Sequence, residues 1–208
     1  MTIFYLIRHA AHAHDDRVLL GRMSGIGLSQ PGLEQAKALA RRLAGTPIDG
    51  VQSSPRQRAR ETAAQIAAPH GLPVEIVPAV DEMDYGLWTG LSFSALRTEP
   101  AWRLWNEARG GSRPPGGESM AEARSRLLGH LRRMHDWMPG GCFVIVSHAE
   151  ILRIALLHCL GRSFDEFASI EVPLAGSTIL RWKRGELCLA TEAIPFIRMA
   201  GPFSRTHR

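Results

Sequence analysis

The chain has 208 residues, 45% of them apolar, and a formal charge of +5 at neutral pH. That length buries one sizeable core without requiring a second, so a single domain over residues 1–208 is expected. No run of about 18 apolar residues occurs, which argues against a membrane-spanning helix, and the run IFYLI is too short and lacks the positive flank of a secretory leader, so a cytoplasmic protein is expected.

Residues 2 to 8 form an apolar run of strand length. Ser29 to Ala44 follows with Leu33, Ala36, Leu39 and Leu43 at helical spacing. Ile48 to Ser53 is the next strand, and Pro55 to Pro69 a helix with Ala59, Thr62, Ala63 and Ile66 on one side. Val74 to Val77 is a short strand. Between residues 89 and 118 the pattern loosens into short helical pieces with Trp102 and Trp105 and the loop GGSRPPGGES. Such a segment is expected to be a lid or binding loop, although the tryptophans would equally anchor a small surface helix. Ser119 and Glu122 make a capping box for a long helix whose Met120, Ala123, Leu127, Leu131, Met134 and Met138 share a face. Cys142 to Ser147 is a continuous apolar strand leading into a helix from Ala149 to about Leu160. Ser177 to Lys183 and Leu187 to Ala193, joined by RGE, read as a hairpin; the tail PFIRMAGPFSRTHR carries apolar residues that could dock on the domain or a partner, and its basic, Gly/Pro-punctuated end is expected to fray. The alternation predicts an α/β three-layer sandwich: a mainly parallel central sheet, helices on both faces, and a small lid insertion at about 89–118.

The positive charge is carried almost wholly by arginine, since Lys37 and Lys183 are the only lysines. The arginine fork suits phosphate and carboxylate. No RNA-recognition motif or aromatic platform accompanies the arginines, so nucleic acid is not expected as a partner, and those scattered through helices, Arg126 among them, read as solvated. Cys142, Cys159 and Cys188 are odd in number and widely spaced, which argues against a disulfide framework and against a zinc ribbon.

One stretch invites a metal. In RHAAHAHDD, His9, His12 and His14 stand beside Asp15 and Asp16. Directly before them, however, comes Arg8. In open parallel sheets, ligands bind outside the carboxyl ends of the strands. Arg8 and His9 end the first strand, Ser53, Ser54 and then Arg58 follow the second, and His148 ends the CFVIVS strand. Three joints thus deliver cationic or imidazole groups to one edge, and two of them open helices whose N-terminal amides favour an anion. Phosphate suits that edge, whereas two arginines oppose a metal.

The segments LIRH (6–9), LSQPGLEQA (28–36), SSPRQRARETA (53–63), DEMDYGLWTG (81–90), PGGESMAEARSR (115–126) and VSHA (146–149) together resemble the histidine phosphatase superfamily, also called phosphoglycerate mutase-like. The resemblance implies that His9 is a nucleophile forming a phosphohistidine, with Arg8, Arg58 and His148 binding the phosphoryl oxygens and neither metal nor cofactor required. It implies that Glu82 protonates the leaving alkoxide and then activates water, and that Arg22 reaches the phosphate or the rest of the substrate. Arg56 and Arg60, flanking Arg58, are expected to be surface charges, and Ser54 and Ser147 to cap or pack.

There are departures from the family pattern. The positions after the nucleophile read Ala10, Ala11, His12 and, by count, Asp15, and Ala149 replaces a common glycine. Asp15 and Ala149 are therefore expected to bear on substrate binding. Methyl groups at Ala10 and Ala149 cost little only where φ is negative. The DEMDYGLWTG form resembles the phosphatase branch, so the expectation is a metal-independent phosphomonoesterase acting on a small phosphorylated substrate. The alternatives are a cofactor-dependent mutase, a metallohydrolase using HAHDD and an inactive binding module, the last opposed by retention of all five core residues.

Overall fold

Strands and helices alternate as the apolar periodicity predicts. The computed structural model describes residues 1–14, 17–190 and 198–199. Its regular elements are β1 (Thr2–Arg8), α1 (Gln30–Leu43), β2 (Gly50–Ser53), α2 (Gln57–Ala67), β3 (Val74–Ile76), α3 (Phe93–Leu96), α4 (Pro100–Glu107), α5 (Met120–Trp137), β4 (Cys142–Ser147), α6 (Ala149–Cys159), β5 (Ile170–Glu171), β6 (Ser177–Lys183), β7 (Glu186–Leu189) and β8 (Arg198–Met199). Six strands form one mixed sheet in the order β3-β2-β4-β1-β6-β7. The first four are parallel, β6 is antiparallel to β1, and β7 to β6.

The pleat sorts the core into two layers, as successive side chains on a strand face opposite ways. Phe4, Leu6, Phe143 and Ile145 point to one face, where they meet Leu127 and Leu131 of α5 and Ile151, Leu152 and Ala155 of α6. Ile7, Val51, Val144 and Val146 point to the other, against Leu39 of α1 and Ala59, Ala63 and Ile66 of α2. Helices on both faces explain why β4 is a near-continuous apolar run.

The ends of the helices follow local chemistry. Ser119 accepts from the Glu122 amide at 3.2 Å while the Glu122 carboxylate accepts from the Ser119 amide at 2.8 Å, the reciprocal cap its S-x-x-E spacing predicts. Ser29 caps α1 by accepting from the Gly32 amide. At Gly32 a Cβ would lie 1.8 Å from the Ala11 carbonyl oxygen. Only glycine lets α1 approach the chain so closely behind the first strand. Ala11 and Ser29 join there through a Ser29 N–H to Ala11 O bond of 2.9 Å.

Some boundaries shift. The hairpin turn is two residues, Arg184 and Gly185, both with positive φ (54° and 84°), so β7 begins at Glu186 rather than Leu187. Positive φ at both centres is the type I′ signature that matches strand twist. The rest of the segment predicted to reach Ala193 runs beyond the described residues. In the tail, ahead of the basic, Gly/Pro-punctuated end expected to fray, Arg198–Met199 pairs with Ile170–Glu171, a two-residue ladder too short to show as a pattern. The loosened stretch 89–118 is anchored: Trp105 and Leu96 are fully buried, and Trp88 meets Trp102 edge-on at 5.2 Å, so the tryptophans fix a small helix to the core. Among the described residues no helix is long and apolar enough to cross a membrane.

Candidate active site

The parallel register sets the site. Arg8 of β1 pairs with Ser147 of β4, and Ser53 of β2 with Val146, so the three strands end at one edge. The residues immediately beyond them, His9, His148 and Ser54, are all buried there. Arg58 arrives from the first turn of α2, held by its own amide bond to the Ile26 carbonyl at 3.0 Å.

Hydrogen bonds assign the tautomer of each imidazole. His9 Nδ1 lies 2.8 Å from the Ala10 carbonyl, which can only accept, so Nδ1 carries the proton. His9 Nε2 then keeps its lone pair and accepts from Arg58 Nε at 3.2 Å. Burial, then the Arg58 charge, holds the His9 pKa well below the usual histidine range, so the ring is neutral at physiological pH. A nucleophilic imidazole needs both conditions.

His148 is set by a longer chain. Ser54 Oγ lies 2.9 Å from Asp81 Oδ1 and 2.7 Å from His148 Nε2. The single hydroxyl proton goes to the carboxylate, so His148 Nε2 must donate to Ser54. His148 Nδ1 accordingly accepts from Arg58 Nη2 at 3.3 Å. Burial, then His9, depresses the His148 pKa. Asp81 is itself fastened by Arg56 at 3.0 Å and by the Glu82 amide at 2.9 Å. Arg56 is thus not the surface charge its helical spacing suggested, because its side chain turns back toward residue 81.

Arg8 Nη1 donates to the Val172 carbonyl at 2.7 Å, and Arg58 Nη2 to Gly21 at 2.8 Å. Arg8 Nε and Arg58 Nη1 are buried without a hydrogen-bond partner. A donor orphaned in the interior costs about 1–3 kcal/mol. These two therefore await an acceptor, and a phosphoryl group offers several.

Glu82 stands across from this cluster, its Oε2 3.8 Å from His148 Nδ1. Its Oε1 accepts from the Met83 amide at 2.8 Å, which leaves Oε2 to carry the acid proton toward the pocket. Burial, then the Glu150 charge, raises its pKa to about 8. At neutral pH it is a carboxylic acid. The frame behind it is ionic: Arg126 donates to the Glu82 carbonyl at 3.1 Å and to Glu118 at 2.6 Å. Arg126 is therefore a half-buried tie, not a solvated face.

A pocket of about 190 Å³ is lined by Arg8, His9, Arg58, Glu82 and Ala149 together with His12, Leu19, Leu20, Tyr85, Phe93 and Glu150, among others. Of the predicted site residues, Arg8, His9, Arg58, His148 and Glu82 come together, and Ala149 joins the wall. Arg22 does not line the pocket; its guanidinium binds the Glu82 carbonyl (2.8 Å), Asp84 (3.2 Å) and Glu118 (2.9 Å). Asp15 lies outside the described residues, as does Asp16. Positive φ outside glycine occurs, among the described residues, only at Ala175 and Arg184, so the methyls of Ala10 and Ala149 meet no backbone strain. Among those residues no group of three His, Cys, Asp or Glu is placed to hold a metal. Sequence reasoning placed Ser54 at this edge as a capping or packing residue, and it missed Asp81 and Glu150. The aspartate directly before Glu82 was the one visible hint.

A buried imidazole held neutral among arginines, opposite an acid whose pKa is raised, at the carboxyl edge of a parallel sheet, is an arrangement suited to phosphoryl transfer. The chain belongs to the histidine phosphatase superfamily, branch 1, whose family model matches residues 4–193. It is 29% identical over 185 residues to phosphoserine phosphatase 1 of Hydrogenobacter thermophilus, covering 86% of each chain. It is 28% identical over 160 residues to the adenosylcobalamin/alpha-ribazole phosphatase of Escherichia coli, covering 76% of this chain and 78% of that one. The fold matches Bacillus stearothermophilus YhfR with a TM-score of 0.86 at 23% identity, over 93% and 97% of the two chains.

Proposed function

We propose that this protein is a phosphomonoesterase that hydrolyses a small phosphorylated metabolite through a phosphohistidine on His9. The observation that carries this reading is the opposition of two prepared groups: His9 Nε2, unprotonated with its lone pair turned to Arg58 Nε, and a protonated Glu82 across the same pocket. The phosphoryl oxygens take the unpaired donors of Arg8 and Arg58, and an ester entering as the monoanion passes its phosphate proton to His148 Nδ1, which then donates that N–H to the resulting dianion. His9 Nε2 attacks phosphorus in line; as the N–P bond forms, the ester P–O bond breaks and Glu82 gives its Oε2 proton to the departing oxygen. The Glu82 carboxylate then takes a proton from water as that water attacks phosphorus, which releases phosphate and restores both residues. Ser54 and Asp81 hold His148, and Arg22 holds the Glu82 segment instead of contacting substrate.

The reading treats residues 1–208 as one domain, with residues 89–118 as a wall segment that contributes Phe93 to the pocket. A reducing, cytoplasmic setting goes with it, supported by three unpaired cysteines. The test is hydrolysis of p-nitrophenyl phosphate with EDTA present by wild type and His9→Ala, joined to acid-labile trapping of radiolabelled phosphate on the wild-type protein. Hydrolysis and label both vanish in the variant if His9 is the nucleophile. Wild-type rates in His9→Ala, or loss of wild-type activity in EDTA, would defeat the reading. Transfer of the phosphoryl group within phosphoglycerate, with no phosphate released, would favour a mutase.

A further inference from the structure

In the proposed reaction the alcohol leaves on the side of Glu82, so the wall next to Glu82 meets it. Three residues further along the same segment is Tyr85, which lines the pocket. Its ring packs on the loop after β1: a Cβ on Gly21, where φ is 47°, would lie 3.1 Å from Tyr85 Cδ2. Gly21 is also the residue whose carbonyl accepts from Arg58 Nη2 at 2.8 Å, so the phenol is braced against the loop that steadies the phosphoryl end. Tyr85 is only 4% exposed and has little freedom to turn away.

The other polar side chains of the lining are already engaged. Arg8, Arg58 and His9 serve the phosphoryl group, and Glu82 is the acid. His12 stands beside the nucleophile, ring centroids 5.8 Å apart. Glu150 is ion-paired with Arg109 at 3.1 Å and Arg153 at 3.3 Å. The Tyr85 hydroxyl differs from all of these. Among the described residues no group hydrogen-bonds it, and it is not one of the polar atoms sealed without a partner in the interior, so it opens to the space that Tyr85 lines. Burial, then the Glu150 charge, raises its pKa well above the usual phenol range, so it keeps its proton and remains a donor. The remaining wall, from Val18, Leu19, Leu20 and Phe93, offers only carbon from its side chains.

We infer that the Tyr85 hydroxyl reads the leaving group: it donates a hydrogen bond to a second oxygen on the alcohol, so the pocket takes phosphate esters of hydroxylated alcohols in preference to esters of plain alkyl alcohols. This rests on the phosphomonoesterase reading and adds to it a substrate class and the residue that recognises it. An ester that fills the pocket expels the water a hydroxyl would otherwise bind. An alcohol carrying an oxygen replaces that partner, whereas an alkyl chain leaves the donor bare.

The matched pair is glycerol 3-phosphate, in both enantiomers, and propyl phosphate, which share a three-carbon skeleton and a phosphate and differ only in hydroxyls. Each is titrated as a competitive inhibitor of p-nitrophenyl phosphate hydrolysis at neutral pH, so neither needs to be turned over. The better enantiomer of glycerol 3-phosphate is expected to bind the wild type at least about fivefold more tightly than propyl phosphate. Tyr85→Phe keeps the ring and should shrink that ratio to about twofold or less. General damage to the pocket would weaken both ligands alike and leave the ratio standing, which counts against the inference. Equal or tighter binding of propyl phosphate to the wild type likewise overturns it while leaving the phosphomonoesterase reading intact. Failure to hydrolyse p-nitrophenyl phosphate at all sinks both.

Discussion

The two ends of the pocket are built from different material. At the phosphoryl end, His9, His148 and Ser54 sit directly after strands of a parallel sheet, and the backbone fastens them: His9 N–H to Ser147 O and Ser54 N–H to Val146 O, both at 2.9 Å. At the alcohol end, Leu19, Leu20, Phe93 and Glu150 come from a loop, a four-residue helix and the first turn of α6, and the fastening is by side chains such as Arg109. A sheet edge admits little variation without losing the strand register. A wall held by side chains can be re-lined one residue at a time. The first end can hold a reaction constant while the second changes what is reacted, which is how functional sites are commonly grafted on shared folds.

That division can be broken or sharpened by substitution. Arg58→Lys should have the largest effect, lowering kcat/KM by about 10²-fold or more for every ester, since an ammonium cannot reproduce donors to His9, Gly21 and phosphate together. A loss confined to some esters would blur the two ends. Next, Glu82→Gln should cost about 10²-fold with alkyl esters and only a few-fold with p-nitrophenyl phosphate, whose leaving group needs little protonation. Equal losses would remove Glu82 from the role of acid. Asp81→Asn should cost about tenfold by loosening the tautomer of His148, with Ser54→Thr close to wild type. The smallest effect belongs to the wall: Phe93→Ala should raise KM about three- to tenfold for esters with apolar alcohols and leave kcat nearly unchanged.

Glu82 also links the site to pH. Its acid form is required for leaving-group departure, so kcat/KM should fall as pH rises through about 8. Glu150 is a cause of the elevation, so Glu150→Gln should move that limb to lower pH. For stability the sign is the same: the native state keeps a proton that the unfolded chain releases at an ordinary carboxylate pKa, so the contribution of Glu82 weakens as pH rises from that range to about 8. Melting temperatures of wild type and Glu82→Gln should therefore differ in favour of the variant more at pH 8 than at pH 5.

Much of the phosphoryl end was legible in the order of residues. Arg8, His9 and His148 end apolar runs, and an apolar run of strand length followed by a helical pattern shows where a parallel strand stops. Arg58 was legible because it follows such a stop within one turn. What could not be read were partnerships made across the fold. Arg56 and Arg126 have the spacing of solvated helix charges, and their turn toward Asp81 and Glu118 depends on where the segments holding those acids pack. Glu150 looks like an acid in the first turn of a helix, an arrangement the helix dipole favours on its own. Its place in the pocket wall arises from tertiary packing. The β5–β8 ladder was missed, and the predicted hairpin turn placed one residue too long, for another reason: each is two residues, below the length at which any period can be seen.

The loop that began with an apparent metal cluster is closed at its neck. His12 bridges Leu28, the Ala13 amide donates to the Gly27 carbonyl at 3.1 Å, and one residue nearer the nucleophile Ser29 is bonded to Ala11 against the bare face of Gly32. Whatever happens between residues 13 and 27 is therefore an excursion that returns to its starting point before the chain reaches α1. Insertions inside such a closed excursion cost little, because loop entropy grows slowly with length. The excursion nevertheless cannot be exchanged whole: its Gly21 and Ile26 carbonyls hold Arg58 and its Arg22 ties the Glu82 segment, so the clasp sets the imidazole upstream while the loop it closes sets the groups that face it.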